Sequence, residues 1–109
     1  MKAKVKALTL QKLESTGLTA ARTISALLTK VIETPLEPKF RRVPWFAGKP
    51  AYMRIAPATG ALALLMSLGW VKETAEDGTV SLALPESAPL EAIKATVAEI
   101  KAAEDGGLF

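Results

Sequence analysis

A nearly uninterrupted apolar segment constrains the fold of this chain more than any other feature. Residues 60–71 carry no charged side chain, and Pro57 stands just before them. A helix that is apolar nearly all round must be buried, and a membrane-spanning helix would need about 20 such residues. The segment therefore predicts a central, buried helix. It should start at about Pro57, where a missing N–H costs little. It should end just before Gly69, which would adopt the left-handed conformation that commonly terminates a helix.

Amphipathic helices are predicted on both sides of this central helix. The first has Thr19 as its N-cap and ends before Pro35, because the residue before a proline is pushed out of the α region. The last covers residues 88–103, with Ser87 as its N-cap, and residues 3–15 predict a further short helix. Apolar residues recur at helical spacing along the two main helices: Ile24, Leu27, Leu28, Val31 and Ile32 in the first, and Leu90, Ile93, Val97 and Ile100 in the last.

A β-hairpin is predicted between the central and last helices. Residues 79–84 alternate apolar and small or polar side chains, and residues 70–73 precede them across Asp77-Gly78, a pair suited to a tight turn. Residues 36–56 contain three prolines and should be mostly turns, with a short extended piece near 42–46. The fold class expected is α+β, a helical body with a small antiparallel sheet.

Composition excludes the commonest catalytic machinery. The chain has 109 residues, enough for one domain, and contains neither cysteine nor histidine. It therefore lacks a thiol nucleophile, a disulfide, a histidine base and the usual zinc ligands. Glu73, Glu76 and Asp77 form an acidic cluster, but a hairpin turn explains Asp77. We expect no enzyme activity, no cofactor and no metal site.

Charge is distributed unevenly along the chain. Residues 1–54 hold 11 Lys and Arg against 3 Asp and Glu, a net charge of +8, whereas residues 55–109 hold 3 against 8, a net charge of −5. A basic first half favours an acidic peptide, a nucleic acid or a membrane surface, although solvated helix faces would give the same pattern. Only four apolar or neutral residues follow Lys6 before Gln11, too few for a signal peptide. The expected location is cytoplasmic or nuclear, and the expected state is a monomer.

Several short motifs carry a resemblance to a known family. They are Pro35, Lys39-Phe40-Arg41, Arg54, Pro57, Gly60-Ala61 and Gly69-Trp70. In this spacing they resemble the PUB domain, an adaptor module of peptide N-glycanases and some ubiquitin-system proteins. The resemblance covers residues 18–103, and it implies the α+β order of elements predicted above. Residues 1–17 would then be an N-terminal helical extension, and residues 104–109 a flexible tail.

The resemblance implies a function without catalysis. PUB domains bind the acidic C-terminal tail, ending in apolar and aromatic residues, of a valosin-containing-type AAA ATPase. They thereby link it to ubiquitin-dependent degradation or deglycosylation, and some bind other ubiquitin-system proteins. The residues expected to bind peptide are Lys30, Lys39, Phe40, Arg41, Gly69 and Trp70.

Two of these positions depart from the family pattern. Phe40 replaces the usual Tyr, which removes one hydrogen bond of about 1 kcal/mol. Lys30 replaces a common Asn, and a lysine only donates, so it should favour an acidic tail if it faces the groove. It could equally weaken or redirect the family's binding.

Three alternatives remain open from the sequence. Phe40 and Trp70 could be core residues rather than a ligand-binding face. Aromatic residues interleaved with Arg and Lys between residues 41 and 54 are also compatible with single-stranded nucleic-acid binding. Finally, residues 104–109 are acidic and end in Leu-Phe, so they could dock into a neighbouring molecule or form a disordered end.

Overall fold

Four α-helices and a three-stranded sheet make up the described part of the chain, residues 16–58 and 60–106 of a computed structural model. This confirms the α+β fold class. The helix predicted over residues 3–15 lies outside the described residues, as do residues 107–109. In chain order the elements are α1 (Thr16–Glu33), a 3-10 helix (Pro38–Arg41), β1 (Arg42–Pro44), α2 (Pro50–Ile55), α3 (Ala61–Ser67), β2 (Val71–Thr74), β3 (Val80–Ala83) and α4 (Leu90–Asp105).

The core lies between α1, α4 and α3. The predicted stripe of α1 faces inward, with Ile24, Leu28 and Val31 fully buried, and α1 packs mainly against α4 and α2. Ile93 and Ile100 bring the stripe of α4 into the same core. The central apolar helix is buried on one face only, which corrects the expectation that it is buried nearly all round. Leu64 and Leu65 are inaccessible to solvent, as is Leu68 just after it, whereas Ala63 and Met66 are exposed.

Several predicted helix boundaries are wrong. Thr19 lies inside α1, which already begins at Thr16 and therefore continues across residues 17 and 18. The central helix begins at Ala61, after a left-handed Gly60 (φ +87°), and not at Pro57. Pro89, not Ser87, is the N-cap of α4. That helix continues through Glu104 to Asp105, so these two residues are not part of a tail.

The turn-rich segment contains a helix that the sequence analysis does not predict. Pro50 is the first residue of α2, where its fixed φ favours a helix and its missing N–H costs nothing. In the sequence, the prolines and the glycine around it predict turns, because both residue types commonly interrupt helices. The extended piece predicted near residues 42–46 is present as β1.

The hairpin is confirmed, and β1 joins it. Strand order is β1-β3-β2, and both pairings are antiparallel, with Leu82 opposite Val43 on one side and Lys72 on the other. In the turn, Gly78 has φ +86°, and the Asp77 carboxylate accepts a hydrogen bond from the Thr79 backbone N–H at 2.9 Å. Hydrogen bonds from Thr79 hold the pKa of Asp77 below its usual value.

Gly69 ends α3 as predicted. Its φ of +107° lies in the left-handed region, and its N–H donates to the carbonyl of Met66 at 3.0 Å. The next N–H, that of Trp70, donates to the carbonyl of Leu65 at 3.2 Å, which completes a Schellman motif. This turn directs the Trp70 side chain into the core, where it is 1% exposed.

Candidate functional site

A groove of about 540 Å³ lies between α1, the 3-10 helix with β1, and α2. We call it the basic groove, because five of its lining side chains are cations and none of the described residues that line it is acidic. The cations are Arg22, Lys30, Lys39, Arg42 and Arg54. The remaining lining residues are Thr23, Ala26, Leu27, Phe40, Val43, Pro44, Pro50 and Ala51.

One face of α1 forms a wall of the basic groove. Arg22, Ala26 and Lys30 are spaced four residues apart, so they lie one above the other on the helix surface. The small side chain of Ala26 leaves room between the two cations. Lys30 therefore does face the groove, which is the condition under which it was expected to favour an acidic ligand.

Phe40 lies on the opposite wall, in the 3-10 helix. The helix is fixed at its start by Glu37, whose carboxylate accepts from the Lys39 backbone N–H at 3.4 Å, and by Pro38 as its first residue. The Phe40 ring is half-buried against the core. The ammonium nitrogens of Lys30 and Lys39 lie 5.9 Å and 5.1 Å from its centroid, within the range of cation–π contact.

Three of the five cations have no carboxylate partner within the described ranges. Arg22 pairs with Glu104 at 2.7 Å, and Arg42 pairs with Glu73. Lys30, Lys39 and Arg54 make no ion pair there. Since like charges are concentrated along a partly apolar groove, its potential is positive and attracts anionic groups.

Arg41 does not line the basic groove. Its Nε donates to the Pro35 carbonyl and its Nη1 to the Pro85 carbonyl, both at 2.9 Å. The guanidinium thereby joins the turn after α1 to the segment before α4, and it lines a different cavity of about 780 Å³. We call this cavity the proline cleft, since Pro35, Pro38 and Pro85 form its walls. Arg41 therefore holds two backbone segments together and is not placed to contact a peptide in the basic groove.

Gly69 and Trp70 do not line the basic groove either. A Cβ added to Gly69 would meet Ala88, Leu84 and Pro89, beside the start of α4. The Trp70 ring is buried in the core, so the expectation that Phe40 and Trp70 form one aromatic face is wrong. The physical reason is the Schellman turn, which points the residue after Gly69 inward.

The aromatic side chains that could stack on nucleic-acid bases mostly pack against other side chains of the protein. Trp45 is 5% exposed and packs edge-on against Tyr52, with their ring centroids 5.2 Å apart. Phe46 is 36% exposed and has the Lys49 ammonium 5.4 Å from its ring centroid. Of the three, Phe46 has the most accessible ring.

Neither a metal site, nor a membrane-spanning helix, nor a similarity to known proteins is found for the described part of the chain. Within residues 16–58 and 60–106, no group of three or more potential metal-binding Asp and Glu side chains occurs. None of the helices in this part of the chain is both long and apolar enough to cross a membrane. In comparisons with protein-family models and with curated proteins, nothing matches this chain.

Three of the five groove cations, Arg22, Arg42 and Arg54, are not among the six residues expected to bind peptide. Arg22 has a usable signal, because it continues the helical spacing of Ala26 and Lys30 by one turn. Arg54 enters the sequence analysis only as part of a spacing motif, since the segment of α2 is predicted to form turns. Of the six expected residues, the structure brings Lys30, Lys39 and Phe40 together and leaves Arg41, Gly69 and Trp70 elsewhere.

Proposed function

We propose that this protein is a non-catalytic interaction module that binds an acidic peptide in the basic groove. The observation that carries the proposal is the placement of Lys30 and Lys39 around the Phe40 ring, with Arg54 on the facing helix and no acidic side chain among the described lining residues. Unpaired cations beside an apolar surface suit a ligand that combines carboxylates with an apolar side chain.

The two parts of such a ligand have different roles. Its apolar side chain would cover Phe40, Leu27 and Val43, which form the apolar part of the groove. Its carboxylates would meet Lys30 and Lys39, which steer the approach more than they add affinity. Because a short peptide must be ordered on binding, we expect a micromolar dissociation constant.

The partner we propose is the C-terminal tail of a valosin-containing-type AAA ATPase. This rests on the resemblance to PUB domains and on the chemistry of such a tail, which is acidic and ends in apolar and aromatic residues. In that role the protein would link the ATPase to ubiquitin-dependent degradation or deglycosylation. Lys30 stands where the family commonly has Asn and so adds one cation, which favours tails that carry more acidic residues.

Single-stranded nucleic acid is the second candidate ligand. The five cations of the basic groove support it, since phosphates would satisfy them as carboxylates do. Against it, the buried Trp45 cannot stack on a base, and stacking supplies much of the affinity in such complexes. Titration with a single-stranded oligonucleotide at two salt concentrations separates the two candidates.

Calorimetric titration with a peptide of about ten residues from such an ATPase tail tests the proposal directly. The protein should bind with micromolar affinity, and Phe40→Ala should weaken binding at least about tenfold. Phe46→Ala is the matched control, because Phe46 is an exposed aromatic outside the basic groove. Absence of binding at millimolar peptide, or equal losses in both variants, would refute the proposal.

A further inference from the structure

Arg42 lines both of the cavities described above. It belongs to the basic groove together with Val43, and to the proline cleft together with Arg41. Its guanidinium pairs with Glu73, which also lines the proline cleft. The two cavities are therefore neighbours, and the Arg42 side chain forms part of the boundary between them.

The Arg42 side chain lies across the outer face of the sheet. In β3 its partner is Ala83, which in turn lies opposite Val71 of β2. Glu73 follows two residues later on β2 and so lies on the same face as Val71. The small side chain of Ala83 leaves room for the arginine to cross β3. Two strand spacings amount to about 10 Å, a distance that about three extended residues of a ligand would span.

The proline cleft presents an apolar surface at the far end of this path. Leu36, in the turn after α1, is 94% exposed, more than any other large apolar side chain of the described residues. It lines the cleft together with Pro35, Pro38, Pro85 and the half-buried Leu90. A contiguous apolar surface with charged residues at its rim is typical of an interaction site.

One negative charge in the proline cleft is left to meet a ligand. Arg41 is held by two backbone carbonyls, and Arg42 and Glu73 neutralise each other. Glu86 lines the cleft as well, is exposed, and makes no ion pair with any described residue. The cleft therefore suits an apolar side chain next to a basic one, whereas the basic groove suits acidic side chains.

We propose that the ligand of the basic groove continues across Arg42 into the proline cleft, where an apolar side chain contacts Leu36 and a neighbouring basic side chain meets Glu86. The partner is then an extended segment whose acidic and apolar end lies in the groove. Since the proposed ligand is a C-terminal tail, the apolar and basic pair precedes that end. The inference rests on the proposed function, because the groove must hold the end of the segment.

The donors of Arg42 can hold a peptide that crosses it. A guanidinium carries five N–H donors, and within the described residues the pair with Glu73 uses Nη2 alone. The others can donate to main-chain carbonyls of the ligand, which needs no particular side chain there. The cleft would then separate ligands whose ends are alike but whose preceding residues differ.

Three synthetic peptides test the inference by calorimetric titration. The short peptide has two acidic residues followed by a leucine and a phenylalanine. The long peptide carries six more residues in front, with a leucine-lysine pair separated from the acidic end by three glycine and serine residues. The third peptide has two serines in place of that pair. The long peptide should bind roughly 5- to 10-fold more tightly than the other two, which should bind alike.

Substitutions in the protein assign this gain to the proline cleft. Leu36→Ser should remove most of the gain and leave the short peptide within about twofold, because Leu36 does not line the basic groove. Met53→Ser is the matched control, since Met53 is 58% exposed and lines neither cavity. Glu86→Gln should weaken the long peptide about twofold or more at low salt, and Glu76→Gln, in the hairpin turn, should not.

Equal affinities of the long and short peptides would overturn the inference, as would a gain that persists in Leu36→Ser. In both cases the short peptide still binds and loses affinity in Phe40→Ala, so the proposed function stands. If no peptide binds at millimolar concentration, the proposed function fails and the inference fails with it.

Discussion

Lys30 and Phe40 are ten positions apart in the chain and come together across the basic groove, with the ammonium nitrogen 5.9 Å from the ring centroid. Lys30 belongs to α1 and Phe40 to the 3-10 helix, so the contact joins the two walls. A cation held over an aromatic ring at an exposed site contributes about 0.5–1 kcal/mol. The same ammonium remains available to a carboxylate, because it makes no ion pair with any described residue.

Charge reversal in the groove should weaken peptide binding through association. Lys39→Glu is expected to raise the dissociation constant of an acidic peptide about tenfold or more, mainly by lowering the association rate. Lys72→Glu is the matched control, because Lys72 is an exposed lysine on β2 outside the groove. Stopped-flow binding at low and high salt provides the measurement. An association rate that does not depend on salt in the native protein would contradict the electrostatic argument.

Replacement of Trp70 should lower stability without defining the peptide site. Trp70→Ala removes a fully buried ring and should lower the free energy of unfolding by about 3–5 kcal/mol, as measured by denaturant titration. Trp70→Phe keeps a ring in the core and should leave peptide affinity within about twofold. A large loss of affinity in a folded Trp70→Phe protein would show that Trp70 does contribute to the binding site.

Arg41 should matter for stability more than Arg42. Arg41→Ala leaves the carbonyls of Pro35 and Pro85 without their charged donor and should cost about 1–3 kcal/mol. Arg42→Ala breaks an exposed pair with Glu73, which is worth at most about 1 kcal/mol. Urea unfolding of the two variants gives the comparison, and equal midpoints would contradict the structural role assigned to Arg41.

The hairpin turn should lose stability in acid. Hydrogen bonds from Thr79 lower the pKa of Asp77 in the folded state, so its contribution is fully present above the unfolded pKa of about 3.9 and disappears as pH falls through the folded pKa. The stability difference between the native protein and Asp77→Asn should therefore shrink as pH is lowered below about 4. Glu76→Gln is the matched control, since Glu76 lies in the same turn and accepts no hydrogen bond from a described residue. An Asp77 carboxyl that titrates at or above its usual pKa by NMR would contradict this.

Local pattern predicts the elements whose signal is contained in one segment. The apolar spacing in α1 and α4, the alternation in β3 and the turn residues Asp77-Gly78 each depend on neighbours a few positions away. The helix α2 escapes prediction because proline breaks a helix in one context and begins one in another, and Pro50 is the first residue of α2. Helix ends are misplaced for a related reason, since Glu104 stays helical while its carboxylate contacts Arg22, 82 residues away.

The candidate site is predicted only in part because it depends on contacts between distant segments. Lys39 and Phe40 share one short motif, and Lys30 reaches them because α1 ends just before that motif. Arg54 reaches the groove only through the packing of α2 against α1, which no local pattern encodes. Trp70 is wrongly predicted to bind peptide, because a sequence motif shows which residue is present but not the direction of its side chain. The turn that ends α3 sets that direction.

The strand order has a consequence for the way this protein is made. Val43 and Pro44, which line the groove, are held in β1 by pairing with Leu82 and Ser81 of β3, about forty residues later. A nascent chain that has emerged from the ribosome only as far as the hairpin turn would carry both walls of the groove but not the strand that fixes one of them. Ligand competence should therefore arrive late in synthesis, after the hairpin closes, and not with the segments that contact the ligand.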